Sequence, residues 1–354
     1  MKKNLHFVLA LTLGLATTVS AQDWSVDSRT RVNSTEDATF NEQRVRTAVD
    51  FGGDAVSAHV ELNAAAVLGQ LAGQSFDLSV REAYATTNVM DFASLSGGRM
   101  ALTFGSGRIM GDPDWVQGNG NTFDGILVGI NNDFADIHVG YSAADNTDST
   151  ELVPFAHDAS KMFANIGKEM GAMAFNLFYM TSQDDLLGVD VVSMGLDASY
   201  AMDNGVNLSL GYYTNDNNGT EMDLTALGAS YAVNSDLTVM AGYDMYGENG
   251  FYLSTGSFGD GYGSGMNYSG FNAERGECTD LSFGGSYAMG DFMIGATMHT
   301  ISAEEEGAFD DISVMDLSLG YTLSDNSSVT MNYASTDESG DDETRTWISL
   351  NIGF

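Results

Sequence analysis

The sequence predicts an all-β fold: a transmembrane, antiparallel, up-and-down β-barrel of about 18 strands, with about 16 as the alternative. Three observations support this fold class. Many short segments alternate apolar and polar residues. The connections between them are alternately short and long, and the last segment alternates up to the final residue, Phe354. Barrel strands that cross a membrane carry this weak, short alternating signal, because one face meets lipid and the other meets the lumen.

The first 21 residues are expected to be a cleaved signal peptide. Lys2 and Lys3 precede an apolar run at 7–16, which is followed by Val19-Ser20-Ala21. A basic head, a short apolar centre and a small-residue cleavage site are typical of secretory signals. We therefore expect residues 1–21 to be removed on export and residues 22–354 to form one outer-membrane β-barrel domain.

Composition restricts the classes of partner. The formal net charge is −36, and loss of Lys2 and Lys3 makes it −36 − 2 = −38. Such acidity argues against binding nucleic acid through a basic patch. The 41 glycines against 2 prolines favour many turns and few rigid breaks. Cys278 is the single cysteine, so no disulfide can form within the chain.

Eighteen alternating segments are predicted to be strands. They lie at roughly 24–33, 43–52, 56–68, 76–90, 95–104, 123–131, 134–143, 160–169, 173–182, 189–200, 206–215, 222–232, 237–247, 279–289, 292–302, 312–323, 328–335 and 344–354. Two of these are irregular. Glu82 shares its parity with the apolar Leu78 and Val80, which predicts a β-bulge, and the segment at 123–131 alternates poorly.

The connections are predicted to alternate between short periplasmic turns and long extracellular loops. The long class carries most of the acidic residues, for example Glu304-Glu305-Glu306 and Asp341-Asp342-Glu343. A solvated acidic surface is the favoured interpretation, with weakly bound Ca²⁺ as the alternative, because carboxylates are the ligands that Ca²⁺ prefers. The stretch from Asp216 to Glu221 is faintly similar to a calcium loop.

The final segment has one apolar and one polar face. Thr346, Ile348, Leu350, Ile352 and Phe354 share one parity. A last strand of this kind resembles the assembly signal of bacterial outer-membrane proteins. The resemblance implies the barrel-assembly machinery as a partner through Phe354, and outer-membrane lipid and lipopolysaccharide as surroundings.

Basic residues are concentrated in the first third of the chain, where we predict a positive strip on one wall of the lumen. The candidate pore-lining residues are Arg29, Arg31, Arg44, Arg46, Arg81, Arg99 and Arg108, with Asp27, Asp50, Glu61 and Asp77 as acidic neighbours. Charges on the lipid side cost about 2–4 kcal/mol at mid-membrane, so these residues are expected to face water in the lumen. Such a strip can orient and sort hydrated solutes. The alternative is a set of ion pairs that only neutralises charge inside the barrel.

A stretch from Ser96 to Gly125 carries a family resemblance. It contains Gly98-Arg99, then Gly105-Ser106-Gly107-Arg108, then Asp114-Trp115 and Phe123-Asp124-Gly125. These motifs resemble the alginate-export-type outer-membrane family. The resemblance implies an eighteen-stranded barrel in which Arg99 and Arg108 line or support the pore. The glycine-rich loop at 105–121 is predicted either to fold inward as a constriction or to lie on the surface.

Three functional hypotheses follow. The first is a passive, cation-preferring channel for small hydrophilic solutes. The second is a specific channel for an acidic saccharide or another anion, with the arginines as carboxylate ligands. The third is a structural outer-membrane protein whose acidic loops hold cations. The mature histidines at 59, 138, 157 and 299 stand singly. We therefore predict no catalytic site, no metal site and no cofactor.

Overall fold

The computed structural model describes residues 22–35, 38–53, 55–68, 77–111, 122–144, 159–184, 188–251, 276–304, 310–338 and 341–354. Within these ranges the chain forms eighteen β-strands. No helix of the described residues is long and apolar enough to cross a membrane. The strands are β1 (Gln22–Thr35), β2 (Thr39–Gly52), β3 (Val56–Leu68), β4 (Asp77–Met90), β5 (Ala93–Ala101), β6 (Thr122–Asn131), β7 (Asp136–Ala144), β8 (Ala159–Met170), β9 (Met173–Asp184), β10 (Val189–Ala201), β11 (Val206–Asn217), β12 (Thr220–Ala232), β13 (Leu237–Tyr246), β14 (Cys278–Met289), β15 (Phe292–Ala303), β16 (Ile312–Ser324), β17 (Ser327–Glu338) and β18 (Asp341–Gly353).

Each strand pairs antiparallel with its neighbours in sequence, and β1 pairs with β18 to close the barrel. The closing register runs from Asp27 opposite Gly353 to Thr35 opposite Arg345. Phe354 continues the seam, because its backbone N–H donates to the Val26 carbonyl at 3.0 Å. The prediction of eighteen strands is confirmed, and the alternative of sixteen is wrong.

Alternation along the strands separates an outer from an inner face. On β11, Leu208, Leu210 and Tyr212 are exposed, whereas Tyr213 is only 2% exposed. The other strands also present large apolar side chains outward, including Phe283, Met298, Leu319 and Ile348. A row of exposed apolar residues on every second position is what a lipid-facing barrel wall requires.

The short turns lie at one end of the barrel, and we call the opposite end the loop end. At the loop end, only some of the connections that were predicted to be long loops are long. Three connections predicted to be loops span only two or three residues between strand ends, at 36–38, 218–219 and 339–340, because the flanking strands extend further than the alternation indicates. At 218–219, Asn218 and Gly219 have φ of 53° and 85°, and Asp216 accepts a hydrogen bond from the Gly219 N–H at 2.7 Å. An Asn-Gly pair with positive φ is typical of a two-residue hairpin. The stretch 216–221, which is faintly similar to a calcium loop in sequence, therefore forms the turn and the adjoining strand ends of a hairpin.

The bulge predicted in β4 is confirmed. Glu61 lies opposite Glu82, but the next residue, Leu62, lies opposite Val80, so Arg81 is the extra residue. The bulge turns Glu82 to the inner face while Leu78 and Val80 remain exposed outside. The irregular parity in the sequence is thus a local change of register.

Part of the lumen is filled by a hydrophobic core. Phe104 packs against Phe163 and Phe178 with ring centroids 5.3 and 5.7 Å apart, and Phe123 meets Phe163 edge-on at 5.1 Å. Phe163 is 1% exposed and lies over Gly140, where a Cβ would collide with its ring. This core fixes one side of the segment 102–111, which lies inside the barrel.

Candidate functional site: the lumen

A water-accessible cavity of about 1840 Å³ occupies the lumen. Its lining combines charged, polar and apolar residues from most parts of the barrel. The charged lining residues are Arg29, Arg31, Arg108, Lys168, Arg345, Asp133, Asp136, Glu169, Asp197, Asp244, Asp280 and Asp316. Seven carboxylates therefore face five cationic side chains, a balance of 5 − 7 = −2.

The segment 102–111, which we call the constriction segment, narrows this cavity. Gly105 has φ of 57°, and a Cβ at that position would overlap the Asp197 carboxylate. The next residue, Ser106, donates its N–H to Asp197 at 3.2 Å, and its hydroxyl lies 2.8 Å from that of Tyr213. Of the two predictions for the loop at 105–121, the inward fold is confirmed for its described part, 105–111.

Arg108 attaches the constriction segment to the opposite wall. Its guanidinium donates to Asp244 of β13 at 2.8 Å and lies 5.7 Å from the Tyr213 ring centroid. The Arg108 and Asp244 side chains are 17% and 11% exposed. Arg108 thus lies among the residues that line the lumen cavity.

The wall that receives Arg108 is acidic. Asp244 on β13 lies opposite Asp280 on β14, and Asp280 accepts from His299 Nδ1 at 3.0 Å. Asp316 on β16 is 4% exposed and continues the row beyond His299. The inner position of these residues could have been predicted from strand parity, because Asp280 has the opposite parity to the exposed Leu281 and Phe283. The predicted pore-lining set was chosen around the arginines and did not include this acidic wall.

The predicted Arg29 and Arg31 line a neighbouring part of the lumen wall, because β18 and β1 follow closely after β16, which carries Asp316. Arg31 of β1 and Arg345 of β18 lie with their guanidinium carbons 5.6 and 5.4 Å from the Trp347 ring centroid. Arg29, on the same face of β1 as Arg31, also lines the cavity. Sequence reasoning did not single out Trp347 or Arg345, which β1–β18 closure brings beside Arg31. The wall is therefore basic over β1 and β18.

Arg44, Arg46 and Arg81 are buried in ion pairs and are absent from the cavity lining. Arg44 pairs with Asp27, and Arg46 lies 3.6 Å from Glu61. Arg81 donates to both Glu61 and Glu82, at 2.9 and 2.7 Å. For these three residues the alternative prediction, ion pairing inside the barrel, agrees with the structure.

Arg99 does not face the lumen, and its predicted pore-lining role is wrong. Its sequence neighbour Met100 is 2% exposed in the inner core, and alternation places Arg99 on the outer face. There it makes two 2.7 Å hydrogen bonds to Asp124. The pair lies near the loop ends of β5 and β6, where charge facing lipid costs less than at mid-membrane.

The remaining predicted residues are dispersed. Asp77 is exposed at the start of β4, and Asp50 accepts from His59 at 2.7 Å. Phe123 joins the inner core, and Gly125 contacts its ring. Gly107 closes a tight turn onto Phe104, 2.9 Å from N to O. Asp114 and Trp115 lie outside the described residues, as do Asp145, Asp148, Glu151, Glu305 and Glu306 of the acidic loops.

Comparison with known proteins relates this geometry to porins. Residues 245–354 match the family described as Gram-negative porin. No curated protein matches the chain. The family match covers strands β14 to β18 and the part of β13 from residue 245.

Solved structures share the whole barrel. The outer-membrane protein OpdK of Pseudomonas aeruginosa aligns with a TM-score of 0.73 at 13% identity, over 95% of this chain and 99% of that one. OccAB2 of Acinetobacter baumannii gives 0.72 at 14% identity, over 95% and 98%. OpdK has also been solved with vanillate, with the same TM-score, identity and coverage. The chain thus has the fold of Gram-negative outer-membrane porins.

The alginate-export-type resemblance is not supported by these findings. The matching family is Gram-negative porin, and the matched residues, 245–354, do not include the motif stretch from Ser96 to Gly125. In the structure that stretch divides between the outer-face pair Arg99–Asp124 and the constriction segment. Local contacts explain its main residues: Arg99 pairs with Asp124, Arg108 pairs with Asp244, and Gly105 fits closely against Asp197.

Proposed function

We propose that this protein is an outer-membrane channel through which small hydrophilic solutes and ions diffuse passively, with a preference for cations. The observation that carries the proposal is the polar lumen cavity, narrowed by a segment that is bonded to the far wall through Arg108 and Asp244. The porin fold and the match of residues 245–354 support the channel.

The preference for cations is inferred from charge. The lining carries seven carboxylates against five cationic groups, and Arg108 is already bound to Asp244. Low-dielectric walls concentrate the field in such a cleft and raise the local concentration of the opposite ion. If the Arg108–Asp244 pair is left out of the count, the lining still has six carboxylates and four cationic groups, so its net charge remains negative.

Orientation of the solute is a further part of the proposal. The basic residues Arg31 and Arg345 lie beside the acidic row of the lumen wall, because Arg345 and Asp316 both pair with Ala334 of β17. The field between these neighbouring basic and acidic wall segments aligns dipolar solutes as they pass along the wall. Solutes with separated positive and negative groups are expected to permeate faster than uncharged solutes of the same size.

A second candidate is a channel with a specific site for an organic anion. Three guanidinium groups, those of Arg29, Arg31 and Arg345, line one wall, and guanidinium groups bind carboxylates well. OpdK, which shares the fold, has been solved with vanillate. The third candidate, a structural protein with cation-binding loops, concerns segments that lie largely outside the described residues.

The deciding experiment is the reversal potential of the refolded mature barrel in a planar bilayer under a KCl gradient. A cation-selective current supports the proposed channel. Anion selectivity, or current blocked by low concentrations of an aromatic carboxylate, favours the second candidate. A folded, heat-modifiable barrel that carries no current contradicts both channel hypotheses and favours the third candidate, a structural protein.

A further inference from the structure

We propose that His59, Glu61 and Glu82 bind a divalent transition-metal ion of the Zn²⁺ type on the inner face of β3 and β4. One ligand atom from each of these side chains lies within 4.8 Å of those of the other two. An imidazole nitrogen with carboxylate oxygens is a ligand set that Zn²⁺ accepts. The inference goes beyond the proposed channel and does not depend on it.

The backbone brings the three ligands together in two ways. His59 and Glu61 are two residues apart on β3 and therefore share a face. Glu82 reaches that face only because of the bulge at Arg81, which places Glu82 opposite Glu61. Bulges commonly re-aim a side chain next to functional sites. A regular β4 would direct Glu82 to the outer face, with Leu78 and Val80.

His59 is oriented by a fourth residue. Its Nδ1 lies 2.7 Å from Asp50 Oδ1, and its ring stacks on Tyr84 with centroids 5.2 Å apart. A carboxylate that accepts the Nδ1 proton leaves the Nε2 lone pair as the ligand, which is the usual support of a metal-binding histidine. The tautomer here is assigned from that hydrogen-bond partner. This orienting contact is the observation that distinguishes the group from an ordinary acidic cluster.

The local charge leaves a place for a cation. Asp50, Glu61 and Glu82 contribute three negative charges, and Arg46 and Arg81 contribute two positive charges, a balance of 2 − 3 = −1. Arg81 contacts Oε1 of each glutamate, and the Ala101 N–H donates to Glu82 Oε2 at 3.1 Å. An ionised carboxylate has about four lone-pair sites on its two oxygens, so a bound ion can share these oxygens with their donors.

The three ligand side chains are largely buried but still partly accessible to solvent. The side chains of His59, Glu61 and Glu82 are 17%, 15% and 13% exposed. Partial burial strengthens the attraction between a carboxylate and a metal ion compared with open water. The remaining exposure allows an ion to reach the ligands from solvent.

The test uses Co²⁺ as a spectroscopic probe in the refolded full barrel. Co²⁺ is titrated in the presence of excess Ca²⁺, which occupies sites made of carboxylates alone, and its visible absorption is followed. We expect one Co²⁺ per chain, displaced by Zn²⁺. His59→Gln is expected to abolish the signal. Asp50→Asn is expected to weaken binding by roughly 10- to 100-fold, as loss of an outer-shell partner does.

His299→Gln is the matched control, because His299 is also a lumen histidine whose Nδ1 contacts a carboxylate, Asp280. We expect Co²⁺ binding unchanged in this variant, and heat-modifiable mobility on gels to show that all three variants fold. Absence of a Co²⁺ absorption band in the native barrel overturns the proposal. Equal affinity of the native and His59→Gln barrels, or loss of binding in His299→Gln, also overturns it.

Discussion

Arg108 and Asp244, 136 residues apart in sequence, join the constriction segment to the far wall of the barrel through a 2.8 Å hydrogen bond. Both side chains are largely buried, so the contact is a charge-assisted bond in a partly dry environment. It holds a glycine-rich segment across the lumen. The position of the constriction segment therefore depends on this pair, on the contacts of Ser106 and on the aromatic core around Phe104.

Replacing Arg108 with Met is expected to raise single-channel conductance. The substitution removes the bond to Asp244 while keeping the length of the side chain, so the constriction segment loses its attachment. Single-channel recording in a planar bilayer measures the change. Arg99→Met, at an arginine bound to a carboxylate on the outer face, is the control and should leave conductance unchanged. Equal conductance in native and Arg108→Met channels would contradict the role given to this pair.

Gly105→Ala is expected to displace the constriction segment as well. Gly105 has φ of 57°, and an added methyl group would overlap the Asp197 carboxylate. Both the backbone conformation and the contact therefore oppose a side chain there. We expect larger or more variable conductance from a folded barrel. Gly171→Ala is the control, because Gly171 has a similar φ of 61° in a short turn with no neighbouring atom within 4 Å of the added Cβ.

Neutralising the acidic wall is expected to reduce cation preference. The double variant Asp280→Asn, Asp316→Asn removes two of the seven carboxylates that line the cavity. The reversal potential under a KCl gradient should then move toward the chloride potential. Asp124→Asn, on the outer face, is expected to have no effect. A reversal potential that stays at the native value would mean that these carboxylates lie off the conducting path.

Removing the basic wall is expected to act in the opposite direction. Arg31→Gln with Arg345→Gln deletes two guanidinium groups from the cavity and should make the channel more cation-selective. The same change at Arg99 is expected to leave selectivity unaltered, because that residue faces outward. The reversal potential again provides the measurement, and a shift toward chloride would contradict the assignment of this wall.

Arg81 is expected to matter for stability more than for conduction. Arg81→Met removes a buried guanidinium that contacts both Glu61 and Glu82, two largely buried side chains, and leaves Arg46, 3.6 Å from Glu61, as the remaining guanidinium there. Removing one partner of a buried ion pair costs about 3–5 kcal/mol. Urea unfolding of the barrel in detergent should show a loss near that size. Arg99→Met, at a partly exposed pair, should cost no more than about 1 kcal/mol.

The number of strands and their faces could be predicted from local pattern. Eighteen alternating segments became eighteen strands, and the conflict of parity at Glu82 indicated the bulge at Arg81. Strand ends were less predictable. Polar residues such as Glu338 and Asp341 continue the hydrogen-bonded ladder beyond the apolar band, where alternation of hydrophobicity no longer applies.

The candidate site was predicted only in part. The position of Arg29 and Arg31 on the inner face followed from their parity, and both line the cavity. For Arg99 the error was the assumption that every charged strand residue faces the lumen, because pairing with Asp124 allows charge on the outer face. The acidic wall and the group of His59, Glu61 and Glu82 consist of residues that are single in sequence and are assembled across neighbouring strands.

The sequence by itself determined the all-β class, the strand number, the bulge in β4 and the inner position of most charged residues. These properties depend on a period of two, which any single strand records in its own side chains. Only the tertiary structure decided which charges pair, which line the water-filled cavity and where the constriction segment attaches. Those outcomes depend on barrel closure and register, which bring residues as distant as Arg108 and Asp244, or Arg31 and Trp347, within contact.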